Sequence, residues 1–501
     1  MSGKEYVLAY DLGTSSVKAA LVDMKGRAAD ITSVEYPLYI PRPGWAEQDP
    51  ESYWNAVCEA THRILANTGV ASDTVRGLSF GTQWKGIIPV SSDGKVLRRA
   101  IIWLDNRADD QSQRMNLHYG RQLFGGQAYW AKLMWVAENE PEVVENAEKI
   151  LEVNGFLKWK ATGEYTVDLG NCYTGSFDPG LDVKYKDILD LIGIPHEKFP
   201  RLIQSTDPAG LLTEEAAGEM GLPKGLPVFG GNTDIQAIAT GAGRAGLGGV
   251  HAYFGSSGWV GFTVPHDSKD MFRAHLTQDR DLLLYEMPAI GLSFDWAVKT
   301  LYEKEYEKLG TGVYDLIDRE LADVPPGSAG ALAAPWFYGD VPPLFGTKVK
   351  GTFMNLQPHH KRAHLTSAIM EGVCYQLRMG TEYTGKKNRL PWPDSINVIG
   401  GGTSNGRWMQ MLADIMRIPV CIPESRKHAG AVGTAYSALI GLGVCGDYAD
   451  AARLVRISQS YEPIVEHLEV YEKQFSLFEM IYQQLEPIFE STADRKVGED
   501  E

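Results

Sequence analysis

The sequence predicts an α/β protein whose two halves each carry a mixed β-sheet flanked by helices. Segments with the alternating pattern of a strand and segments with helical spacing follow one another along the chain. A strand–turn–strand pattern occurs at residues 6–23 and returns at 251–264. The chain has 501 residues, and because single cores stop growing at roughly 250–300 residues, two domains are expected.

A three-strand meander is predicted at the start of the chain. Residues 6–12 and 16–23 alternate apolar with small side chains, and Gly-Thr-Ser at 13–15 interrupts them. A second turn at 23–26 leads to a third strand around 29–36.

Helical and strand-like segments alternate from residue 50 onward. A helix is predicted over 50–65, with an apolar face formed by Trp54, Val57, Ala60 and Ile64. Strand-like runs follow at 77–80, 86–90 and 100–103, and residues 225–246 are predicted to form a strand, a loop and a helix. A last helix has an apolar stripe of Leu468, Tyr471, Phe475, Phe478, Tyr482 and Leu485, and the polar tail after it is expected to be frayed.

The two hairpin patterns indicate a duplicated architecture. Gly13 in DLGTSS and Gly255 in FGSSG are separated by close to half of the chain. We therefore predict domains at 1–249 and 250–490 with a cleft between them, followed by the tail at 491–501.

Composition excludes several classes of function. The formal net charge of −16 opposes binding to nucleic acid or to an anionic membrane, but a local basic pocket for a phosphorylated ligand stays compatible with it. The five cysteines form no CxxC pair and no Cys/His cluster, which argues against a structural zinc site and indicates a reducing compartment. The sequence shows no signal-peptide core and no run of about 18 apolar residues, so we expect a cytoplasmic protein.

Two glycine-rich motifs match nucleotide-binding fingerprints only superficially. GAGRAG at 241–246 fits GxGxxG, but a helical run precedes it where the fingerprint needs a strand. GTEYTGKK at 380–387 approaches the P-loop pattern, yet Lys387 replaces the magnesium-binding Ser/Thr and a helical run again precedes the motif. We predict that neither motif binds a nucleotide.

The DLGTSS turn has the composition of a phosphate-binding loop. Small residues let backbone N–H groups and hydroxyls approach phosphate oxygens, and Asp11 at the strand end is placed to hold Mg²⁺. A hairpin turn that simply needs small residues explains this motif equally well. The second copy, at Gly255, Ser256 and Ser257, favours phosphate binding, because two such loops could grip a polyphosphate from both sides.

Several motifs in a fixed order resemble the FGGY family of carbohydrate kinases, within the actin-like and Hsp70-like ATPases. They are DLGTSSVK, PGWAEQDPESYW, AIIWLDNRA, GGNTDIQA, YFGSSG, GGGTSNGRWMQMLADIMRIPV and AGAVGTAYSALIGLG. The resemblance spans residues 5–445 and is strongest to the xylulokinase branch.

The resemblance implies two actin-like (ribonuclease H-like) ATPase domains, with ATP in the cleft and Mg²⁺ at Asp11. The implied ATP-binding residues are Gly13, Thr14, Ser15, Lys18, Gly255, Ser256, Ser257, Gly401, Gly402 and Asn405. A helix-start turn capped by Ser404 or Asn405 also explains GGGTSN, and the two interpretations are compatible.

Asp234 stands at the position of the family's catalytic base, which takes the proton of the acceptor hydroxyl during phosphoryl transfer. The alternative is that Asp234 caps the following helix, although Asn232 or Thr233 could do so and leave its carboxylate free. The family usually has an amide residue directly after this aspartate. This chain has Ile235 there and Gln236 next, which departs from the family at a sugar contact.

The implied sugar-binding residues are Gln83, Trp84, Lys85, Trp103, Asp105 and Asp234. Trp103 and Asp105 fit an aromatic wall beside a hydroxyl-binding carboxylate, although core packing explains Trp103 alone. Xylulokinases typically have Gln-Met-His-Gly where this chain has Gln-Trp-Lys-Gly at 83–86. Lysine introduces a permanent cation and tryptophan narrows the site, so a substrate other than xylulose stays open.

The sequence therefore predicts an ATP- and Mg²⁺-dependent kinase of a small carbohydrate, foremost a ketose such as D-xylulose. A sugar acid paired with Lys85, or a polyol, is the alternative acceptor. An actin-like or Hsp70-like ATP-driven switch is the non-enzyme alternative, and the WLD and GWAEQDP motifs argue against it. The expected partners are the sugar and ATP, with neither nucleic acid nor membrane, and a homodimer is an open alternative.

Overall fold

The chain folds as an α/β protein with mixed sheets and flanking helices, which confirms the predicted fold class. The computed structural model describes residues 4–122, 124–171, 185–266, 273–341, 344, 346 and 348–492. The strands are β1 Tyr6–Leu12, β2 Ser16–Asp23, β3 Ala28–Glu35, β4 Glu47–Gln48, β5 Val75–Thr82, β6 Ile88–Ser91, β7 Ala100–Ile101, β8 Ala147–Leu151, β9 Thr166–Asp168, β10 Arg201–Ile203, β11 Pro208–Leu211, β12 Pro227–Thr233, β13 Val250–Phe254, β14 Gly258–Pro265, β15 Arg273–His275, β16 Arg280–Met287, β17 Leu332–Ala334, β18 Thr352–Met354, β19 Ile396–Ile399, β20 Val420–Pro423 and β21 Ile457–Tyr461. The helices are α1 Pro50–Thr68, α2 Asp109–Tyr119, α3 Tyr129–Asn139, α4 Pro141–Asn146, α5 Val153–Thr162, α6 Tyr185–Ile192, α7 Glu214–Met220, α8 Asp234–Gly241, α9 Gly291–Leu301, α10 Glu303–Leu309, α11 Val313–Leu321, α12 Arg362–Asn388, α13 Gly406–Met416, α14 Ala429–Gly441, α15 Tyr448–Ala452 and α16 Val465–Thr492.

Two compact units make up the structure, and neither is one continuous stretch of chain. Unit 1 consists of Met1–Leu247, Thr263–Leu282 and His428–Val455, and unit 2 of Gly248–Phe262, Leu283–Lys427 and Arg456–Glu501. The sequence offers no signal for these exchanges of short segments. The assignment of functional domains to 1–249 and 250–490 stays a prediction.

Unit 1 contains a six-stranded mixed sheet with the order β11–β12–β5–β1–β2–β3. Strands β1, β2 and β3 pair antiparallel in sequence, so the predicted meander is confirmed, with the third strand one residue earlier than expected. Strand β5 pairs parallel with β1 and with β12. These parallel pairs bring the ends of β1, β5 and β12 to the same edge of the sheet.

Both faces of this sheet are covered, which explains why β1 is apolar at nearly every position. Leu8 and Tyr10 pack into a core that includes residues of α1, whereas Val7 and Ala9 pack with residues of α14. Alternate side chains of a strand point to opposite faces, so a strand buried on both sides needs apolar residues throughout.

Helix α1 confirms the predicted helix and continues to Thr68. Asp49 caps it by accepting a hydrogen bond from the Glu51 N–H at 3.1 Å, proline occupies the first turn, and Gly69 ends it with a left-handed φ of 63°. The predicted apolar face is buried as expected at Trp54, Val57, Ala60 and Ile64.

Two predicted strands are shorter than expected. Only Ala100–Ile101 of the 100–103 run is a strand, because the chain turns there with the Asp105 N–H donating to the Ile102 carbonyl at 3.1 Å. The 86–90 run becomes a strand only at Ile88: the Gly86 N–H donates to the Glu152 carboxylate, and Ile87 forms an isolated bridge with Ile101.

The segment 225–246 forms a strand and a helix with no loop between them, so the predicted loop was wrong. Strand β12 ends at Thr233 and α8 begins at Asp234. The GAGRAG glycines end α8 as predicted, with Gly243 at a φ of 72°. GTEYTGKK lies inside α12, which confirms that it is not a P-loop.

Unit 2 carries the predicted second hairpin. Strands β13 and β14 pair antiparallel around residues 255–257, and β13 and β20 flank the parallel strand β19. This hairpin belongs to a sheet in which seven described strands follow the order β15–β16–β14–β13–β19–β20–β21.

The last helix, α16, also matches its predicted apolar stripe. Tyr471, Phe475 and Phe478 are buried, and the Phe478 ring lies 5.6 Å from the ring of Tyr375 in α12. Residues 493–501 of the predicted tail and Cys172 lie outside the described residues. In the described ranges, no helix is long and apolar enough to cross a membrane.

Candidate active site

The implied site residues fall into two groups, one in each unit. In unit 1, the β1–β2 turn closes with the Gly13 N–H donating to the Ser16 carbonyl at 3.1 Å. Its carbonyls accept from neighbouring segments: the Tyr36 hydroxyl donates to Gly13, and the Gln48 amide donates to Thr14 at 2.7 Å. The Tyr36 N–H donates to Ser15 at 3.1 Å. These hydrogen bonds fix the turn within unit 1, and its binding of phosphate oxygens stays a prediction.

Asp11 precedes this turn and lies directly opposite Lys18 in the β1–β2 register. Burial raises the pKa of Asp11, and the Lys18 cation opposes that shift. Gly430, in the first turn of α14, approaches the carboxylate so closely that a Cβ there would lie 2.5 Å from Asp11 Oδ2. The start of α14 therefore packs tightly against the Asp11 carboxylate.

Asp234 begins α8 without being its cap. Thr233 is the N-cap: its hydroxyl accepts from the Gln236 N–H, and Gln236 Oε1 accepts from the Thr233 N–H at 2.9 Å, forming a capping box. Of the candidate caps that the sequence offers, Thr233 is therefore the observed one, and Asp234 is not. Gln236 Nε2 also donates to the Leu276 carbonyl at 3.2 Å, so this amide is engaged within the fold.

The carboxyl group of Asp234 is poised to titrate near neutrality. Its pKa is raised from 3.8 to about 7, chiefly by burial and also by the nearby charge of Asp11. A hydrogen bond from the Ile235 N–H and the cation of Lys85 act in the opposite direction. A base is most effective when its pKa lies close to the working pH, so this environment suits proton transfer.

Lys85 has a left-handed backbone with a φ of 64°, which is unusual for a residue with a side chain. Glu152 holds this conformation: its carboxylate accepts from the N–H groups of Lys85 at 3.1 Å and Gly86 at 2.6 Å. The Lys85 Nζ lies 5.0 Å from the ring centroid of Trp84.

Lys132 is a supporting residue that the sequence analysis missed. Its fully buried ammonium donates to the carbonyls of Lys85 at 2.9 Å and Ile102 at 2.8 Å. Burial lowers the pKa of Lys132 to about 7, and the Glu152 charge opposes that shift. A lysine inside the apolar run YWAKLMWV at 129–136 was a usable signal, because a buried lysine needs partners.

Gln83 and Trp84 each have one buried side-chain polar atom that is of interest for ligand binding. The Gln83 amide donates to Gln48 Oε1 at 2.8 Å, joining the network that reaches Thr14. Within the part of the chain that the structure describes, Gln83 Oε1 and Trp84 Nε1 have no hydrogen-bond partner. Burying a polar atom without a partner is costly. The Gln83 acceptor and the Trp84 donor, which are neighbours in sequence, are therefore suited to bind hydroxyl groups of a ligand.

Trp103 and Asp105 differ in their surroundings. Trp103 is 39% exposed and donates from Nε1 to the Thr14 hydroxyl at 3.0 Å, so core packing does not explain it. Asp105 is fully buried, and its oxygens accept from the Ala46 N–H at 2.6 Å and from the Arg107 guanidinium at 2.7 and 2.8 Å. These bonds use the lone pairs that a sugar hydroxyl would need, and a sugar-binding role for Asp105 stays a prediction.

In unit 2, the β13–β14 turn shares the features of the first turn. The N–H groups of Gly291 and Leu292 at the start of α9 donate to the carbonyls of Gly255 at 2.9 Å and Ser256 at 3.1 Å. Ser256 and Ser257 are exposed. The turn is therefore braced by a helix N-terminus and presents two hydroxyl side chains at its surface.

The GGGTSN segment of unit 2 starts helix α13. Asn405 caps α13 by accepting from the Trp408 N–H at 2.9 Å, which confirms one of the two predicted caps. Gly402 packs against Phe254, whereas a Cβ at Gly401 would meet no atom within 4 Å. The adenosine-binding role of these residues stays a prediction.

Comparisons with known proteins agree on one family. Residues 6–241 match the N-terminal domain, and residues 251–442 the C-terminal domain, of the FGGY family of carbohydrate kinases. The xylulose kinase of Bacillus subtilis (strain 168) is 29% identical over 500 residues, covering 95% of this chain and 97% of that protein. The gluconokinase of the same strain is 25% identical over 515 residues, covering 98% of both chains. A solved structure of xylulose kinase from Rhodospirillum rubrum has a TM-score of 0.85 at 27% identity, covering 97% of this chain and 100% of the other.

Proposed function

Since the chain belongs to the FGGY family of carbohydrate kinases, we propose that it transfers the terminal phosphoryl group of ATP to a hydroxyl of a small ketose such as D-xylulose. The name of the Bacillus subtilis relative supports a ketose as the acceptor. Membership of a kinase family sets aside the ATP-driven switch that needs no carbohydrate. The observation that carries the chemistry is Asp234, whose pKa of about 7 adapts it to accept a proton.

In this proposal Asp234 is the general base. Its carboxylate accepts the proton of the acceptor hydroxyl while that oxygen forms its bond to the γ-phosphorus of ATP. The bond from this phosphorus to the bridging oxygen breaks, and ADP leaves. Because Thr233 caps α8, the Asp234 carboxylate takes part in this step without weakening the helix start.

The residues of unit 1 also fit a divalent cation. The charge of Asp11 raises the cost of ionising Asp234, and a nearby Mg²⁺ would offset that repulsion. We assign Asp11 to hold Mg²⁺, which neutralises phosphate charge when it is bound. The turns at 13–15 and 255–257, with Lys18, are assigned to the phosphates, and Gly401, Gly402 and Asn405 to the nucleoside.

The sugar pocket in this proposal is built from the segments around Gln83 and Trp103. Gln83 Oε1 and Trp84 Nε1, which lack a partner among the described residues, would bind sugar hydroxyls, and the exposed ring of Trp103 would face the sugar ring. Excluding water from such a pocket keeps the phosphoryl group from hydrolysis.

A screen of acceptors tests this function. ADP release, measured with a coupled enzyme over pentuloses, hexuloses, polyols and aldonic acids, should depend strongly on the sugar and be highest with a ketose. Fast ATP turnover that no carbohydrate stimulates would contradict the proposal.

A sugar acid is the second candidate acceptor, and Lys85 is the observation that favours it. Its cation acts on the Asp234 carboxyl group, so an anionic substrate group could pair with it close to the base. The similarity to a gluconokinase is consistent with such an acceptor. Lys85→His should then lose activity on aldonic acids while keeping or gaining activity on neutral ketoses. Efficient turnover of D-xylulose by the wild type, with none of any sugar acid, rules this candidate out.

A further inference from the structure

A separate group of metal-ligating side chains lies on three neighbouring strands. His275 ends β15, Asp281 lies in β16, and His266 directly follows β14, and the sheet order is β15–β16–β14. Each side chain offers one ligand atom, and these atoms all lie within 4.8 Å of one another. None of the three belongs to the implied sugar or ATP sites.

The carboxylate of Asp281 occupies the middle of this group. Its Oδ1 lies 2.8 Å from Nδ1 of His275 and 3.1 Å from Nδ1 of His266. The side chain of Asp281 is fully buried and that of His275 is 6% exposed, whereas His266 is 47% exposed. One carboxylate and two imidazoles thus form a mixed N/O donor set with an opening to solvent on one side.

We propose that His266, His275 and Asp281 bind a divalent cation of the Zn²⁺ class, with water completing the coordination. Zn–N and Zn–O bonds are about 2.0–2.2 Å, so neighbouring ligand atoms in a tetrahedral site lie about 3.4 Å apart. The two Asp281–histidine distances are shorter than this spacing, so an entering ion replaces these hydrogen bonds and moves the three side chains slightly apart. Imidazole ligands favour Zn²⁺ over Mg²⁺, so this site is chemically distinct from a Mg²⁺ site at Asp11.

Occupancy of this site would fix a turn that supports α8. The turn between β15 and β16 closes with the Leu276 N–H donating to the Arg280 carbonyl at 3.0 Å. The Leu276 carbonyl accepts from Gln236, which completes the capping box before Asp234. An ion that joins the ends of three strands restricts this turn, so Zn²⁺ should raise the melting temperature of the chain.

Calorimetric titration of the untagged, chelator-treated chain with Zn²⁺, in excess Mg²⁺, tests the proposal. The wild type should bind one equivalent, and His266→Gln and His275→Gln should each weaken binding about tenfold or more. Because His266 is exposed, His266→Gln should keep the fold, which circular dichroism checks. The matched control is His359→Gln, in a second histidine group where the rings of His359 and His360 are 4.2 Å apart; it should keep full affinity.

Three results would overturn the proposal. The first is no Zn²⁺ binding by the wild type at micromolar concentration. The second is undiminished binding by a folded His266→Gln chain. The third is loss of binding in His359→Gln, which would place the ion in the other histidine group. All three are independent of kinase activity.

Discussion

The ammonium group of Lys132 lies 2.9 Å from the carbonyl oxygen of Lys85 and donates a hydrogen bond to it. The same group donates to the carbonyl of Ile102 at 2.8 Å, so one buried cation joins the segment that carries Gln83 to the segment that carries Trp103. Both segments contain implied sugar-binding residues. Lys132 is therefore a positioning residue for the proposed sugar pocket.

Replacing Lys132 by methionine should disturb the sugar pocket more than the ATP site. The Lys85 and Ile102 carbonyls each lose one hydrogen bond, although Ile102 keeps the one from the Asp105 N–H. A hydrogen bond contributes about 0.5–1.5 kcal/mol to stability, so the chain should also be less stable. Steady-state kinetics should show a raised KM for the sugar with little change in the KM for ATP.

Lys158→Met is the matched control for this variant. Lys158 is also fully buried and donates to the Gly230 carbonyl at 3.0 Å. Its Nζ also lies 3.7 Å from the buried Asp168 carboxylate, so its loss should lower stability at least as much. Its printed partners among the described residues, Gly230 and Asp168, lie outside both segments of the sugar pocket, so the ratio of the two KM values should stay near that of the wild type. An unaltered sugar KM in a folded Lys132→Met chain would count against the positioning role.

The pH dependence of turnover should report the carboxyl group of Asp234. Burial and the Asp11 charge raise its pKa to about 7, and only the ionised form accepts a proton. We therefore expect kcat/KM for the sugar to fall below neutral pH with an apparent pKa near this value, measured in buffers of constant ionic strength. A profile that stays flat down to pH 5 would be incompatible with Asp234 as the base.

The same shift predicts how stability changes with pH. The folded chain holds the Asp234 proton more tightly than the unfolded chain, because the pKa rises from 3.8 to about 7 on folding. The resulting contribution to folding stability is complete below the pKa of the unfolded chain and is lost as the pH rises through the pKa of the folded chain. Asparagine mimics the neutral acid. Without Mg²⁺ and ATP, the melting temperature of Asp234→Asn minus that of the wild type should therefore increase as the pH is raised from 4 to 8. A constant difference would show that Asp234 has an ordinary pKa.

Gly430→Ala should weaken the use of Mg²⁺. The added Cβ would lie 2.5 Å from Asp11 Oδ2, so the carboxylate or the start of α14 must shift. The Mg²⁺ concentration for half-maximal activity should rise. The control is Gly218→Ala in α7, where a Cβ meets no atom within 4 Å, so the helix should gain up to about 1 kcal/mol and activity should not change. An unaltered Mg²⁺ requirement in Gly430→Ala would contradict the assignment of Mg²⁺ to the Asp11 carboxylate beside Gly430.

Local patterns explain what could be predicted from the sequence. The meander, helix α1 and the second hairpin follow from apolar periodicity and turn residues, which act over a few positions. The sequence leaves the N-cap of α8 open, because Asn232, Thr233 and Asp234 are all good caps and only the backbone geometry selects Thr233.

The rest depends on contacts between distant parts of the chain. The Glu152 carboxylate accepts hydrogen bonds from the N–H groups of Lys85 and Gly86, which are distant from it in sequence. No local sequence pattern predicts these contacts. His266, His275 and Asp281 come together because β14, β15 and β16 are neighbours in one sheet. Their spacing in the sequence matches no metal-binding motif.

The most direct measurement is the turnover number of Asp234→Asn on the best acceptor at saturating Mg·ATP. Asparagine keeps the volume of the side chain and Thr233 still caps α8, so the fold should survive, but the amide cannot accept the hydroxyl proton. General-base catalysis contributes about 10²–10⁴ in rate, and kcat should fall by that factor while the KM for ATP stays nearly unchanged. Near-normal kcat in this variant would contradict the assignment of Asp234 as the catalytic base.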